Sequence, residues 1–269
     1  MKDNIFLQFQ FFHQLFPLLT TSDGPVAPGS DTTTTVSKPT VIGGGQSVSV
    51  GVVNGYFFSH DPRPFPADMV VAEYVEDENG IVPFDPSKVT FEDTVNGGGT
   101  PMAAYRLSQT DFTYKLNVFY DGEPLYFEDG TRVVATAYIG VKGDSDLNNA
   151  VNSSDATNVL AYYAAIMTGA DLETLRLTPA DNEIVNAHPE LDLLGIFLAD
   201  VDLDCYSKGN WAKTKFEREI NASDASWILG FYANEMTGMS GQAYENWILT
   251  LGEHYKESFE DYRDNGTLS

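Results

Sequence analysis

Residues 143–169 read GDSDLNNAVNSSDATNVLAYYAAIMTG, an acidic loop that runs into an uncharged apolar stretch. Five side chains of the loop carry oxygen atoms and stand at positions 1, 3, 5, 9 and 12 counted from the first of them: Asp144, Asp146, Asn148, Asn152 and Asp155. Calcium is a hard cation that takes about six to eight oxygen ligands, so a short loop of this kind can wrap round it without His or Cys. The stretch predicts a calcium loop followed by a helix.

The spacing is that of an EF-hand-type loop, in which position 7 contributes its backbone carbonyl, here that of Ala150. Position 6 is usually Gly because the chain turns sharply there, and Asn149 is the next residue most tolerant of the left-handed region. Position 12 is Asp155 rather than Glu. The predicted calcium ligands of the first loop are Asp144, Asp146, Asn148, Ala150, Asn152 and Asp155.

A second copy of the pattern strengthens the interpretation of the first as a calcium loop. VNSSDAT (151–157) recurs as INASDAS (220–226), and both copies continue through an apolar stretch to MTG, at 167–169 and 236–238. DVDLD (200–204) supplies the first half of a second loop, which an insert of about 13 residues splits. The sequence therefore predicts two calcium ions. The predicted ligands of the second are Asp200, Asp202, Asp204, Asn221 and Asp224.

A duplicated loop–helix unit with Asp at position 12 and a hydrophobe and Asn at positions 8 and 9 resembles the dockerin family. Dockerins are calcium-folded modules that attach the enzymes and scaffold proteins of bacterial cellulosomes to cohesin domains. The resemblance spans residues 143–238. The region before it resembles the X-module that often precedes a dockerin, and the inserts resemble those of the atypical dockerins of rumen bacteria.

The resemblance implies a non-catalytic, calcium-dependent module that binds a cohesin of a scaffoldin or cell-wall anchoring protein. Its X-module would act as a structural buttress. Family contacts at positions 10, 11, 17 and 18, together with the outer face of the uncharged first helix, give the expected partner-binding residues: Ser153, Ser154, Leu160, Ala161, Ala164, Ala222, Ser223, Leu229 and Gly230. Many dockerins carry a basic pair at positions 17 and 18, and this chain does not, so we expect an apolar, atypical cohesin.

Composition restricts the class of protein. The 269 residues are 42% hydrophobic, which is typical of folded domains, and the net charge of -24 would repel a nucleic-acid backbone. The single cysteine, Cys205, excludes an internal disulfide. The sequence contains no run of 18 apolar residues, so it predicts no membrane span. Together with the resemblance, the acidity indicates a secreted, extracellular protein held at the bacterial cell surface in a calcium-rich setting.

The expected organisation is multidomain: an all-β, sandwich-like X-module followed by an all-α dockerin built from a duplicated F-hand loop–helix unit with helical inserts. Residues 1–19 are expected to be a non-native or disordered terminal segment, 20–40 a Thr/Ser/Pro linker, 41–140 the X-module, 141–238 the dockerin, and 239–269 a C-terminal helix packed on the dockerin or the X-module. The linker indicates further modules upstream, and the resemblance implies that they bind cellulose.

Local patterns predict individual elements. Period-two alternation predicts strands at 47–53, 69–75 and 114–120, and Asp129-Gly130 predicts the turn of a hairpin over 126–139. Thr178-Pro179 is typical of a helix start in the insert between the repeats. Apolar and aromatic residues three or four apart predict one helix over 240–264.

Catalysis is not expected, because the four histidines show no metal or nucleophile spacing. Two alternatives remain open. One is an EF-hand-like calcium sensor, in which calcium would open a groove for a peptide. The other is carbohydrate binding by aromatic side chains of the β domain, although alternating aromatics are more often core. The candidates for such a platform are Tyr56, Phe57, Phe58, Tyr74, Tyr105, Phe112 and Tyr120.

Overall fold

The structure is a computed structural model, and it describes residues 38–42, 46–59, 65–94, 97–98, 112–127, 129–202, 209–252 and 256. The predictions for 1–19, for the linker up to residue 37, and for Asp204, Cys205 and Tyr105 lie outside the described residues. The described residues form a β region up to Gly140 and a helical region after it. This order agrees with the predicted succession of a β part and an α part.

The described strands are β1 (Lys38–Ile42), β2 (Gln46–Val52), β3 (Gly55–Phe58), β4 (Val70–Val71), β5 (Tyr74–Asp77), β6 (Gly80–Pro83), β7 (Val89–Asp93), β8 (Gly97–Gly98), β9 (Thr113–Tyr120), β10 (Glu123–Phe127) and β11 (Val134–Gly140). They follow the order β3-β11-β9-β10-β1-β2-β5-β6, with β4 beside β2, β7 beside β9 and β8 beside β7. The predicted strands at 47–53 and 114–120 are confirmed, whereas a 3-10 turn and two short strands occupy 69–75.

One tight hairpin of this sheet joins β9 to β10. Asp121 and Gly122 both have positive φ, 52° and 82°, and lie between the paired residues Tyr120 and Glu123. Positive φ at both central residues is the type I′ geometry, whose twist matches that of the flanking strands, and Asp-Gly adopts it readily.

The predicted hairpin over 126–139 is wrong beyond its turn. Gly130 has φ 82° and Tyr126 bridges Arg132, but β11 then leaves β10 and pairs antiparallel with β9 and parallel with β3. The physical reason is burial, because both faces of β11 are almost wholly covered, and only a strand inside the sheet can satisfy its backbone there. The described β region therefore includes a parallel pair, β3–β11.

The described α-helices are α1 (Ser153–Met167), α2 (Glu183–Ala187), α3 (Leu191–Ala199), α4 (Ala222–Asn234) and α5 (Ala243–Leu251). The helix start predicted at Thr178-Pro179 is wrong, since the Thr178 hydroxyl and N–H instead donate to the buried Asp192 carboxylate, at 2.6 and 2.9 Å. Asn182 caps α2 in its place by accepting the N–H of Val185. Helix α5 ends at Leu251, because its C-cap Gly252 has φ 89°, so one continuous helix over 240–264 is wrong at this point; residues 253–264 lie outside the described residues apart from Lys256.

Two apolar cores lie in the described part, and the second draws on both regions. One fills the β region, around Leu116, Val118 and Leu125. The other fills the helical region and includes Phe58 of β3, which stacks on Phe197 of α3 with ring centroids 4.5 Å apart. A flexible tether between the regions is therefore excluded.

Most of the candidate sugar-stacking aromatics are buried. Phe57, Phe58, Phe112 and Tyr120 are core residues, and Tyr56 stacks on Tyr138. Among the described candidates, Tyr74 is the exposed one. Phe57 and Tyr120 pack the core of the β region, and Phe58 and Phe112 pack the core of the helical region, which supports their interpretation as core residues.

Candidate metal centre

Each repeat fixes its loop to its helix by the same capping box. In the first repeat the Asn152 side chain accepts the N–H of Ser154 at 2.8 Å, and Asp155 Oδ2 accepts the N–H of Asn152 at 2.8 Å. The reciprocal pair satisfies N–H groups that a helix start leaves unpaired. The pattern Asn-x-x-Asp at 152–155 is also typical of a capping box, whereas the sequence analysis interprets Asn152 and Asp155 as metal ligands alone.

Three carboxylates meet in the first loop. One oxygen each from Asp144, Asp146 and Asp155 lies within 4.8 Å of the others, and Asp144 and Asp155 are fully buried. Asp155 Oδ1 accepts the N–H of Ser145 at 2.7 Å, so the twelfth position of the loop is tied back to its start. The arrangement brings together residues that are up to eleven positions apart in the chain.

Backbone donors hold the first carboxylate in place. Asp144 accepts the N–H of Asn148 at 3.0 Å and that of Asn149 at 2.7 Å, one on each oxygen. The turn that presents them needs left-handed residues, and Asn149 has φ 64°, as predicted for position 6. Leu147 also has φ 59°, which was not predicted, and its side chain is fully buried in the helical core.

The remaining predicted ligands of the first loop make other contacts. Asn148 Oδ1 accepts the N–H of Ala150 at 2.8 Å, Ala150 itself is exposed, and Asn152 caps α1. From the insert, Asn182 donates to the carbonyl of Asp146 at 2.6 Å, which ties the loop to the segment before α2. Within the described loop, the carboxylates form the cluster and the amides shape the backbone round it.

The carboxylates of the cluster disfavour one another's charge. Burial raises the pKa of Asp144, the neighbouring charge of Asp155 adds to the rise, and the two backbone N–H groups oppose it. Burial likewise raises the pKa of Asp146, and that of Asp155 to about 6. Three acids this close need either protons or a cation.

An oxygen-preferring cation fits the cluster. Asp146 Oδ1 is buried and has no hydrogen-bond partner, although a buried carboxylate oxygen ordinarily has one. The donors are carboxylate oxygens from a loop rich in further carbonyl and amide oxygens, and hard divalent ions such as calcium prefer this set. The orphaned oxygen is the observation that points to an ion.

The second repeat reproduces the hydrogen bonds that Asp155 makes in the first. Asp224 is fully buried, its Oδ2 accepts the N–H of Asn221 at 2.9 Å, and its Oδ1 accepts that of Val201 at 3.1 Å. Burial raises its pKa to about 6. Asp200 is buried and Asp202 half-buried, while Asp204 lies outside the described residues. Asn221 and Asp224 thus repeat the contacts of Asn152 and Asp155, whereas the described carboxylates that meet as a metal-holding group are those of the first loop and do not include Asp200, Asp202 and Asp224.

Sequence reasoning missed a buried ion pair in the second loop. Arg218 Nη1 donates to Asp200 Oδ2 at 3.1 Å, and both side chains are almost wholly buried. Arg218 belongs to the insert, and no spacing rule connects an inserted arginine to a loop carboxylate 18 residues earlier.

The expected partner-binding residues lie on the outer faces of α1 and α4. Helices α1 and α4 pack against each other through buried residues such as Val159 and Ile228. Leu160 and Leu229 are each 44% exposed, which is high for leucine. The rest of the set is exposed except for Gly230, which is half-buried: Ser153, Ser154, Ala161, Ala164, Ala222 and Ser223. Each repeat presents an apolar strip to solvent.

No protein-family model matches the chain, and no curated protein matches it. None of the described helices is both long and apolar enough to cross a membrane. The assignment of function therefore depends on the repeats and their geometry.

In the absence of metal, we expect stability to fall as the pH rises. The pKa of Asp155 is raised from 3.8 to about 6 in the folded chain, so folding retains a proton that the unfolded chain has released between these values. Raising the pH through this window removes that contribution. The melting temperature in EGTA should be lower at pH 7 than at pH 5.

The variant Asp144→Asn should flatten the pH dependence, because it removes a second carboxyl whose pKa is raised, to about 8, by burial and by the charge of Asp155. Saturating calcium should remove the fall as well, since the ion binds the deprotonated carboxylates. A melting temperature in EGTA that rises over this range, with the same slope in Asp144→Asn, would contradict the prediction.

Proposed function

We propose that the chain is a non-catalytic, calcium-dependent dockerin preceded by an X-module, and that it binds a cohesin of a scaffoldin or cell-wall anchoring protein. It would thereby attach its parent protein to a cellulosome or to the bacterial cell surface. The observation that carries the proposal is the duplicated unit, in which Asp155 and Asp224 are buried at equivalent positions and accept equivalent backbone N–H groups. An acidic loop that closes on a helix in this way is suited to a structural ion.

The docking surface follows from the same symmetry. The outer strips of α1 and α4 combine exposed Leu160 and Leu229 with small neighbours, so a partner can approach each helix closely. Apolar side chains at the centre of such a strip are those that dominate association energies. The absence of charge at these positions supports an apolar cohesin.

The test is retention of the chain on a panel of immobilised cohesins, with calcium and with EGTA. Binding to at least one cohesin in calcium and release in EGTA are expected. Failure to bind any cohesin in calcium, with the chain folded by circular dichroism, would exclude the proposed partner.

A calcium sensor is the second candidate, and one observation favours it. Helix α3 runs directly into the second loop, with Asp200 at its end, as the entering helix of an EF-hand does. The first loop differs, because it follows strand β11. A calcium titration by far-UV circular dichroism distinguishes the two: a gain of helix on calcium binding supports the dockerin, and rearrangement at constant helix content supports the sensor.

The buttress role of the X-module gives a prediction of its own. Phe197 is buried between the regions, against Phe58 and Tyr56. We expect Phe197→Ala to cost about 3–5 kcal/mol of the free energy of unfolding in calcium, as buried Phe→Ala changes do. The control Phe216→Ala removes a half-exposed ring and should cost less than about 1 kcal/mol. Equal effects in urea unfolding would show that the regions do not support each other.

A further inference from the structure

In the described part of the chain, Asp200 of the second loop accepts a charged side-chain donor that its first-loop equivalent, Asp144, does not have. In the first loop Asp144 accepts the backbone N–H groups of Asn148 and Asn149. In the second, the insert interrupts the chain at the corresponding place, and Asp200 accepts a side-chain donor, Arg218 Nη1, at 3.1 Å. Among the described contacts, the second loop therefore has a guanidinium against its first carboxylate and the first loop has none, while residues 203–208 of the second loop lie outside the described part.

The guanidinium of Arg218 is fully engaged. Nη1 also donates to Asn210 Oδ1 at 2.6 Å, and Nη2 donates to the carbonyls of Asn210 and Lys213, at 2.7 and 3.3 Å. Its Cζ lies 4.9 Å from the ring centroid of Phe197, and the side chain is 2% exposed. Several donors in a rigid fork allow arginine to bind a carboxylate and brace two carbonyls at once, which lysine cannot do.

These contacts connect the second loop to a part of the chain that needs no metal. Asn210 and Lys213 flank Trp211, which stacks on Phe57 of the β region at 6.0 Å with the rings 14° apart. Asp200 is therefore tied through Arg218 to a segment that packs on the sheet.

The first loop differs in charge. Of the described ion pairs, none joins a basic side chain to Asp144, Asp146 or Asp155. A buried carboxylate left without a cation is costly, whereas one paired with a well hydrogen-bonded guanidinium is compensated. The two loops should therefore respond differently when metal is removed.

We propose that Arg218 is a positioning residue that keeps the second loop ordered without a bound ion, so that the calcium dependence of the module resides in the first loop. The proposal rests on the proposed function only in assuming that the first loop takes calcium. The insert is then a built-in support for the second loop, and it links that loop to the sheet.

The test is hydrogen–deuterium exchange of single amides in calcium and in EGTA. In the unmodified chain, EGTA should speed exchange at Asn148 and Asn149 by at least about 10-fold, which is about 1.4 kcal/mol, while Val201 and Asn221 keep their protection. Exchange that rises equally in both loops would overturn the proposal, and this comparison needs no variant.

The variant Arg218→Met keeps the chain's length and its packing on Phe197 but removes the charge and the fork. It should make Val201 and Asn221 exchange at least about 10-fold faster in EGTA. Arg218→Lys should restore only part of the protection, and Arg176→Met, which removes an exposed arginine bonded to Asn186, should change neither loop. Unchanged protection at Val201 in Arg218→Met would overturn the proposal. If calcium changes exchange in neither loop, the proposed function fails instead, and the variant still tests Arg218.

Discussion

Asp144→Ala is expected to abolish calcium-dependent binding to the cohesin, lowering affinity by more than about 100-fold, on the order of 3 kcal/mol. Asp144 is buried, provides one oxygen of the carboxylate cluster, and accepts both N–H groups that shape the turn. The substitution removes a predicted calcium ligand and the acceptor of the two N–H groups that shape the loop before α1. The loop should then no longer hold the start of α1, which carries the proposed docking strip. Calorimetric titration with calcium and then with the cohesin measures both losses.

The β region should stay folded in this variant, because its core lies around Leu116 and Val118, away from the loop. Asp181→Ala is the matched control, since it removes an exposed carboxylate from the insert after α1. It should bind calcium and cohesin as the unmodified chain does. Wild-type cohesin affinity in Asp144→Ala would show that the first loop is not the metal site on which binding depends.

The local part of the candidate site is predictable from sequence because its geometry is set by neighbours in the chain. Asn152 and Asp155 stand three apart, and that spacing alone closes a capping box and places the helix start. The left-handed φ at Asn149 follows from the turn that a twelve-residue loop must make. Because the second repeat uses the same short-range rules, Asn221 and Asp224 take the same positions.

Contacts between distant parts of the chain could not be predicted in this way. The partners of β11 are decided by which strands can cover both of its faces, and this depends on the whole sheet rather than on the Asp129-Gly130 turn beside it. Arg218 reaches Asp200 only because Asn210 and Lys213 of the folded insert hold its guanidinium. Thr178 failed as a helix cap for the same reason, since Asp192 of α3 takes its donors.

The packing of the inserts affects the orientation that we predict for cohesin binding. Both inserts contact the β region, with Phe197 on Phe58 and Trp211 on Phe57. Side chains held on the sheet are not free to rearrange when a partner arrives. The surroundings of the two repeat helices therefore differ permanently, although their docking strips are alike.

We predict that the cohesin is bound in one orientation only. Leu160 and Leu229 are equally exposed, but α4 also presents Trp227, which is 37% exposed, where α1 has the half-buried Asn158. A half-turn of the module would carry Trp227 and the insert to the opposite side of the partner. One single substitution, Leu160→Asp or Leu229→Asp, should then cost more than about 2 kcal/mol of binding free energy, about 30-fold in affinity, and the other less than about 0.5 kcal/mol.

Calorimetry of the two single variants and of their combination with the cohesin decides between one mode and two. With a single mode, the double variant binds about as weakly as the damaging single one, because the other leucine lies outside the interface. Leu249→Asp is the matched control, an exposed leucine of α5 outside both strips, and should leave the affinity unchanged. If each single variant binds normally and only the double variant fails, the repeats are interchangeable and the asymmetry created by the inserts does not select an orientation.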